Sequence, residues 1–290
     1  MGLRTKFNLM LLVVAVIGVG AFTLAATPIL EGLAREQVLQ SSRIMMESAA
    51  GARKYTSEQI APLLAKDMRN TFHPQAVSAY AAKKNFDVLH GKFSDYSYRE
   101  AALNPTNPED RAIDWEADII NDFRNHPEKK EIVLERVTPV GRSLYLARPL
   151  VNKQACMYCH STAREAPRSM VAIYGAQNGF GWRLGETIGA QIVTVPMSVP
   201  IAQAARVRLI FVGVFVAVFA MVFVLLNVLL GAMVIGPIDR MARTADAVSL
   251  GDMDVPEYVR GGSDQIARLS KAINRMRRSL QEALRMLSSS

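Results

Sequence analysis

Only two cysteines occur in the 290 residues, and a histidine follows the second at once: Cys156-Met157-Tyr158-Cys159-His160. Two thiols separated by two residues can each add to one vinyl group of a haem, and the next histidine can then present an imidazole nitrogen to the iron. The same thiols could form a redox disulfide or half a zinc site. No second cysteine pair or histidine-rich partner completes a tetrahedral zinc set, and no helical redox-motif context surrounds the pair. The motif therefore predicts a single covalent haem c held by Cys156, Cys159 and His160.

Covalent attachment of this kind belongs to the oxidising, exported side of a membrane, and the chain carries the means to get there. Phe7 to Leu30 holds no charge over 24 residues and Leu209 to Ile238 none over 30, each longer than the ~20 residues a spanning helix needs. Asn227 is the one strongly polar side chain in the second stretch and is suited to a helix–helix contact. Arg4 and Lys6 precede the first stretch and Arg240 and Arg243 follow the second, which places both ends in the cytoplasm; Arg206 and Arg208, on the outer flank, run against that bias. Ala25 and Ala26 allow a rival reading of the first stretch as a cleaved signal, but its length favours an uncleaved anchor. The formal charge of +8 is spent on these flanks and on the C-terminal helix, and no base-reading motif accompanies it, so nucleic acid is excluded as a partner.

Between the spans the periodicity predicts helices and then strands. Glu31 to about Lys66 reads as a long helix broken near Tyr55-Thr56-Ser57, with Thr56 and Gln59 as a capping box. Phe72-His73-Pro74 reads as a turn and Val77 to Phe86 as a short helix. In Asn104-Pro105-Thr106-Asn107-Pro108, Asn107 is placed to cap a helix opening at Pro108, with Ile113, Ala117, Ile120 and Phe123 on its inner face and Trp115 at its flank. Glu131–Val137, Ser143–Leu150, Ser169–Tyr174 and Thr187–Val195 alternate with period two, with turns at Pro139-Val140-Gly141 and Asn178-Gly179. They predict a small antiparallel sheet forming one wall of a haem pocket. Arg148 and Arg168 flank the haem loop and are candidates to pair with the propionates; Phe180 and Trp182 are candidates to lie against the macrocycle edge.

Past the second span Ile238, Met241, Ala245 and Val248, then Ile266, Leu269, Ile273, Met276, Leu280, Ala283 and Leu287, step by three and four. Two short heptad seams joined by the Ser249–Gly262 connector predict a homodimer closing into a four-helix bundle.

These stretches resemble two known families. Pro237, the paired heptads and Leu250-Gly251-Asp252 resemble the HAMP linker of bacterial transmembrane sensors, with Asp264-Gln265 where an Asp-Glu pair usually opens the second helix. The exported part, from about residue 40 to 198, resembles single-haem c-type sensor domains with a PAS-like fold, through Asn104 to Glu116, the Cys156 to His160 motif, and Tyr174-Gly175 through Gly179-Phe180-Gly181-Trp182. The resemblance implies an α+β membrane protein: a cytoplasmic N-terminus (1–6), a first span (7–30), a periplasmic haem domain (31–206), a second span (207–236) and a HAMP linker (237–290) in the bacterial inner membrane. Some members of that family use a cysteine thiolate as second iron ligand; with no third cysteine here, Met46, Met45 and His73 are the candidates, a thioether raising the reduction potential relative to a second imidazole.

The implied function is redox or diatomic-gas sensing, relayed through the linker to a separate cytoplasmic signalling protein such as a kinase or receptor, since no output segment follows before Ser290. A face of Arg268, Lys271, Arg275, Arg277, Arg278 and Arg285 is where it would dock. The alternative is a membrane-anchored electron-transfer cytochrome, which leaves the heptads without a purpose; a haem-free small-molecule receptor is the third reading. No acid–base or nucleophile constellation points to an enzyme.

Overall fold

The computed structural model describes residues 2–138 and 141–288. They fall into two units, Thr27–Val207 and Met1–Ala26 with Arg208–Ser290. Helix α1 (Leu3–Tyr55) contributes to both.

In the first unit α1 does not stop and restart at residue 56. Thr56 turns its hydroxyl back to the Ala52 carbonyl, 2.8 Å away, and is not a capping residue; a π-turn at Thr56–Ile60 carries the chain into α2 (Ala61–Leu64). After a 3₁₀ turn at Pro74–Ala76 come α3 (Ser78–Lys92) and β1 (Ser97–Ala102). Asn107 does cap, its side chain accepting from the Glu109 N–H, but the turn it starts is a 3₁₀ turn at Pro108–Asp110. Helix α4 (Asp114–Asn125) begins afterwards, with Glu116 accepting the Ile113 N–H. Its buried face is Glu116, Ile119, Ile120 and Phe123, while Ile113, expected inside, is exposed. Trp115 packs edge-on against Tyr145, as a flanking residue should.

Strands β2 (Ile132–Thr138) and β3 (Gly141–Val151) form a hairpin. Its predicted turn residues Pro139 and Val140 lie outside the described residues, and Gly141 takes a φ of 114°. The short helices α5 (Met157–His160) and α6 (Arg168–Tyr174) follow, then β4 (Thr187–Pro196). The strand expected at Ser169–Tyr174 is thus α6. Pro167 supplies its N-cap position and Gly175, at a φ of 82°, its end, and these stops decide a six-residue apolar run whose periodicity alone is ambiguous. The fourth strand is instead β1, whose Ser-Tyr-Arg-Glu-Ala-Ala carries weak β propensity and pairs because β4 offers it an edge.

The sheet is antiparallel throughout, in the order β1-β4-β3-β2. Period-two alternation sends Leu144, Leu146, Val193 and Val195 to one face, under α1 and α3, and Tyr145, Ala147, Ala190 and Ile192 to the other, under α4. Burial on both faces explains why the central strands β3 and β4 are nearly continuous apolar runs. The sheet side of α1 is also lined with ion pairs: Arg35 with Glu135, Arg43 with Glu131, Glu47 with Arg148, and Arg53 with Glu100.

In the second unit α7 (Ser198–Leu230) leads through a π-turn at Gly231–Ile235 to α8 (Gly236–Ser249), a connector, and α9 (Gln265–Ser288). Both α1 and α7 are long and apolar enough to cross a bilayer. Phe22 stacks on Phe215, and Asn227 accepts from Arg4 with Oδ1 at 3.5 Å from Nε, so the polar residue of the second stretch makes a helix–helix contact with α1 just before the first stretch. On α8 the buried residues are Pro237, Met241, Thr244 and Val248; Ile238, expected in the seam, is exposed. Asp264 caps α9 through the Ala267 N–H, 2.7 Å away. The inward side of α9 is polar: Ser270 and Asn274 donate to the Tyr258 carbonyl, Arg277 to those of Val255 and Met253, and Gln281 to that of Met253. These four pegs hold the connector, so Arg277 does not belong to an outward basic face, and Arg278 is paired with Glu257. Leu269, Met276 and Leu280 are left exposed; the side chain of Leu287 lies outside the described residues.

Candidate functional site

The cysteine–histidine segment occupies a 3₁₀ turn at Gln154–Cys156 and the single turn of α5. One helical turn places residues 156, 159 and 160 on neighbouring faces, which brings both sulfurs and the imidazole to one side. Both cysteines are free. Burial, with Cys156 adding to it, pushes the Cys159 thiol up to about 11. A redox-active Cys-x-x-Cys needs the opposite shift, toward a thiolate at neutral pH, so disulfide exchange is disfavoured.

The histidine is held in one orientation. Its Nδ1 lies 2.7 Å from the Gly179 carbonyl oxygen. A carbonyl only accepts, so Nδ1 carries the proton and Nε2 is the nitrogen with the free lone pair. Desolvation by burial lowers the His160 pKa, the Gly179 hydrogen bond only partly opposing it, so the ring is neutral near pH 7. Trp182 stacks on the imidazole at 3.9 Å between ring centroids and 13° between planes, and Thr106 Oγ1 sits 3.3 Å from Nδ1. A neutral imidazole whose Nδ1–H is bound to a carbonyl and whose Nε2 is bare is the form in which histidine ligates a metal.

The turn that supports this ring is supported in its own right. Asn104 accepts from the Gly179 N–H at 3.0 Å through Oδ1, donates to the Phe180 carbonyl at 3.3 Å through Nδ2, and takes the Trp182 Nε1–H on its own carbonyl at 3.3 Å. Gly179 has a φ of 81°, and a Cβ there would lie 2.1 Å from Thr106 Oγ1 and 2.7 Å from Thr106 Cα, so only glycine fits. On the other side Asn152, fully buried, binds Glu186 and Gly185 through its backbone and Arg183 and the Met157 sulfur through Nδ2. Asn104, Thr106, Gly179 and Asn152 carry no chemistry of their own. The resemblance marked 104–116 and 174–182 as stretches, but nothing local showed that they close on one another.

The other expected site residues are placed as follows. Trp182 faces the imidazole, where a macrocycle-edge contact had been expected, and Phe180 is half-buried with its carbonyl taken by Asn104. Arg148 is not waiting for a propionate: its guanidinium is shared between Glu47 at 2.6 Å and Glu131 at 3.3 Å. Arg168 is exposed at the start of α6. Met46 is fully buried among Val38, Leu39, Phe86, Leu146 and Val193, so its thioether packs in the core; Met45 is half-buried at the edge of that cluster. His73 turns Nε2 to Asp67 Oδ2 at 2.6 Å, which commits one of its two ring nitrogens to that carboxylate.

Residues 229–282 match the HAMP domain, and residues 31–196 match the Tll0287-like family. A solved structure, that of the cyanobacterial heme-protein Tll0287, matches at 18% identity with a TM-score of 0.45, covering 55% of this chain and 94% of that one. No curated protein matches. A domain of this family joined to a HAMP linker is the architecture of transmembrane signalling, not of catalysis. By the span of that match, the chain belongs to the Tll0287-like family.

Proposed function

We propose that residues 31–206 form a periplasmic domain carrying one haem c, joined to the sulfurs of Cys156 and Cys159 and ligated by His160 Nε2. The observation that carries this reading is the Nδ1–Gly179 bond, which leaves Nε2 bare on the same turn as two free thiols. When bound, the group supplies an iron whose oxidation state or diatomic ligand can change, and the protein senses that change. Trp182 and Gly179 fix the plane of the ring. Of the three side chains considered for the second axial position, Met46 is committed to the core and His73 to Asp67, which leaves Met45.

The signal runs through spans at 7–30 and 207–236 of the inner membrane to the HAMP linker at 237–290. The groove between α8 and α9, about 510 Å³ and lined by Val248, Met276, Leu280 and Ala283, is suited to a second copy of the same seam. The homodimer then hands the state to a cytoplasmic signalling protein.

The test is expression of the full chain in a host with cytochrome c maturation, followed by a haem stain on denaturing gels and spectra in both oxidation states. Covalent haem that disappears in Cys156→Ala/Cys159→Ala is the expected result. A colourless wild-type protein overturns the reading.

A further inference from the structure

We infer that the end of β1 is the lever that ties the support of His160 to helix α1, through Asn104 at one end and the Glu100–Arg53 pair at the other. The inference rests on the haem reading above and adds a route.

Three residues, Ala101, Ala102 and Leu103, separate the two ends. Asn104 holds the 179–182 turn by three hydrogen bonds, so the turn under His160 and Asn104 move as one body. From there the chain is extended and pinned: the Leu103 N–H reaches the Ile188 carbonyl, and Ala101 and Ala102 pair with Ala190 and Gly189. The approach at Gly189 has no slack, since a Cβ there would lie 2.3 Å from the Ala101 oxygen. A displacement of Asn104 therefore reaches Glu100, about 13 Å away at strand spacing, with little lost to bending.

Glu100 faces α1 and is half-buried in a closed network. Its carboxylate is ion-paired with Arg53, accepts from Tyr98 Oη at 2.6 Å, and Tyr98 in turn accepts from Gln191 Nε2 at 2.7 Å. Side-chain exposure is 26% for Arg53 and 10% for Glu100. A network whose members are all paired and largely shielded from water holds one geometry and resists a partial shift. Strand β4 is hydrogen-bonded to both neighbours over its length, whereas α1 meets the sheet through side chains, so α1 is the element free to respond.

Coupling between sites is reciprocal: if the iron's state biases the Arg53–Glu100 clasp, breaking the clasp must shift the iron's reduction equilibrium. Arg53 also lies within electrostatic reach of Cys156, so the clasp is broken without changing net charge, as Arg53→Gln/Glu100→Gln. Redox titration of the haem-loaded full-length protein in nanodiscs is the assay. The double variant is expected to shift the equilibrium about tenfold, which is 59 mV for a one-electron couple. In an Asn104→Ala or Asn104→Asp background the same double change is expected to shift it by less than about twofold. Arg53→Lys, which keeps the pair, should leave the potential in place. Equal shifts with and without Asn104 overturn the route in favour of general loosening or direct field effects, and no shift in either background overturns the coupling. A wild-type protein without haem overturns the site itself, and is seen before any titration begins.

Discussion

Substituting Gly179 by alanine tests the cradle of the histidine most directly. The added methyl carries two costs that add. A left-handed backbone is disfavoured for any L side chain by about 1–2 kcal/mol, and Gly179 sits at φ 81°. The methyl also meets Thr106 Oγ1 at 2.1 Å, Cα at 2.7 Å and Cβ at 2.8 Å, an overpacking that costs roughly 1–3 kcal/mol when neighbours must move. The expected loss is therefore about 2–5 kcal/mol. Gly181 is the control, because at φ 76° with nothing within 4 Å of its Cβ it carries only the first cost, about 1–2 kcal/mol. Denaturant unfolding of the full-length protein in detergent, followed by near-ultraviolet circular dichroism, measures both variants on one scale. Thr106→Gly combined with Gly179→Ala relieves the clashes with Oγ1 and Cβ but leaves the backbone carbon in place, so it should recover part of the loss. If Gly179→Ala proves no more costly than Gly181→Ala, the packing against Thr106 is not tight and the argument for a preset imidazole fails.

Three other outcomes follow from the same geometry. Met46→Ala should destabilise the domain by about 2–5 kcal/mol while Met46→Leu costs little, and neither should alter the spectrum, as a packing role requires; a spectral change in both would make it a ligand after all. Because burial lowers the His160 pKa, the unfolded chain binds the proton more readily than the folded one. Stability of the haem-free Cys156→Ala/Cys159→Ala protein should thus be complete above about pH 6.5 and fall as pH drops through the lowered folded value, a slope that His160→Gln removes; thermal melts at several pH values decide it. Arg148→Ala should weaken the hold of α1 on the hairpin by about 1 kcal/mol, given its part-exposed pairs, in a salt-dependent way and without changing haem content.

What the sequence disclosed follows from how far each signal reaches. The expectation of covalent chemistry at Cys156, Cys159 and His160 rests on spacing within five residues, and that of a span or a heptad on spacing within thirty, so these are local readings. The shell of His160 could not be read locally, because Asn104 lies 76 residues from Phe180 and Thr106 lies 54 from His160. The exchange of β1 for α6 has the same root. Ser169–Tyr174 looks more strand-like than Ser97–Ala102, but the fold awards the edge of β4 to the latter. One basic residue also misled: Arg277 reads as part of an outward basic face, but donates to the Val255 and Met253 carbonyls and, beside Ser270 and Asn274, holds the connector from within.

The preset ring constrains where movement can go. An imidazole bonded to Gly179 at 2.7 Å and stacked on Trp182 at 3.9 Å has no low-cost rotation left, so any displacement of the ring carries the 179–182 turn along. Asn152 holds the far end of that loop, at Arg183, Gly185 and Glu186, to Met157 at the start of α5. A body pinned at 183–186 and bonded to Asn104 at 179–182 pivots about the first and pushes on the second. Under the haem reading, a change at the iron would therefore load the strap that continues β1, opposite Glu100 and the long helix it grips.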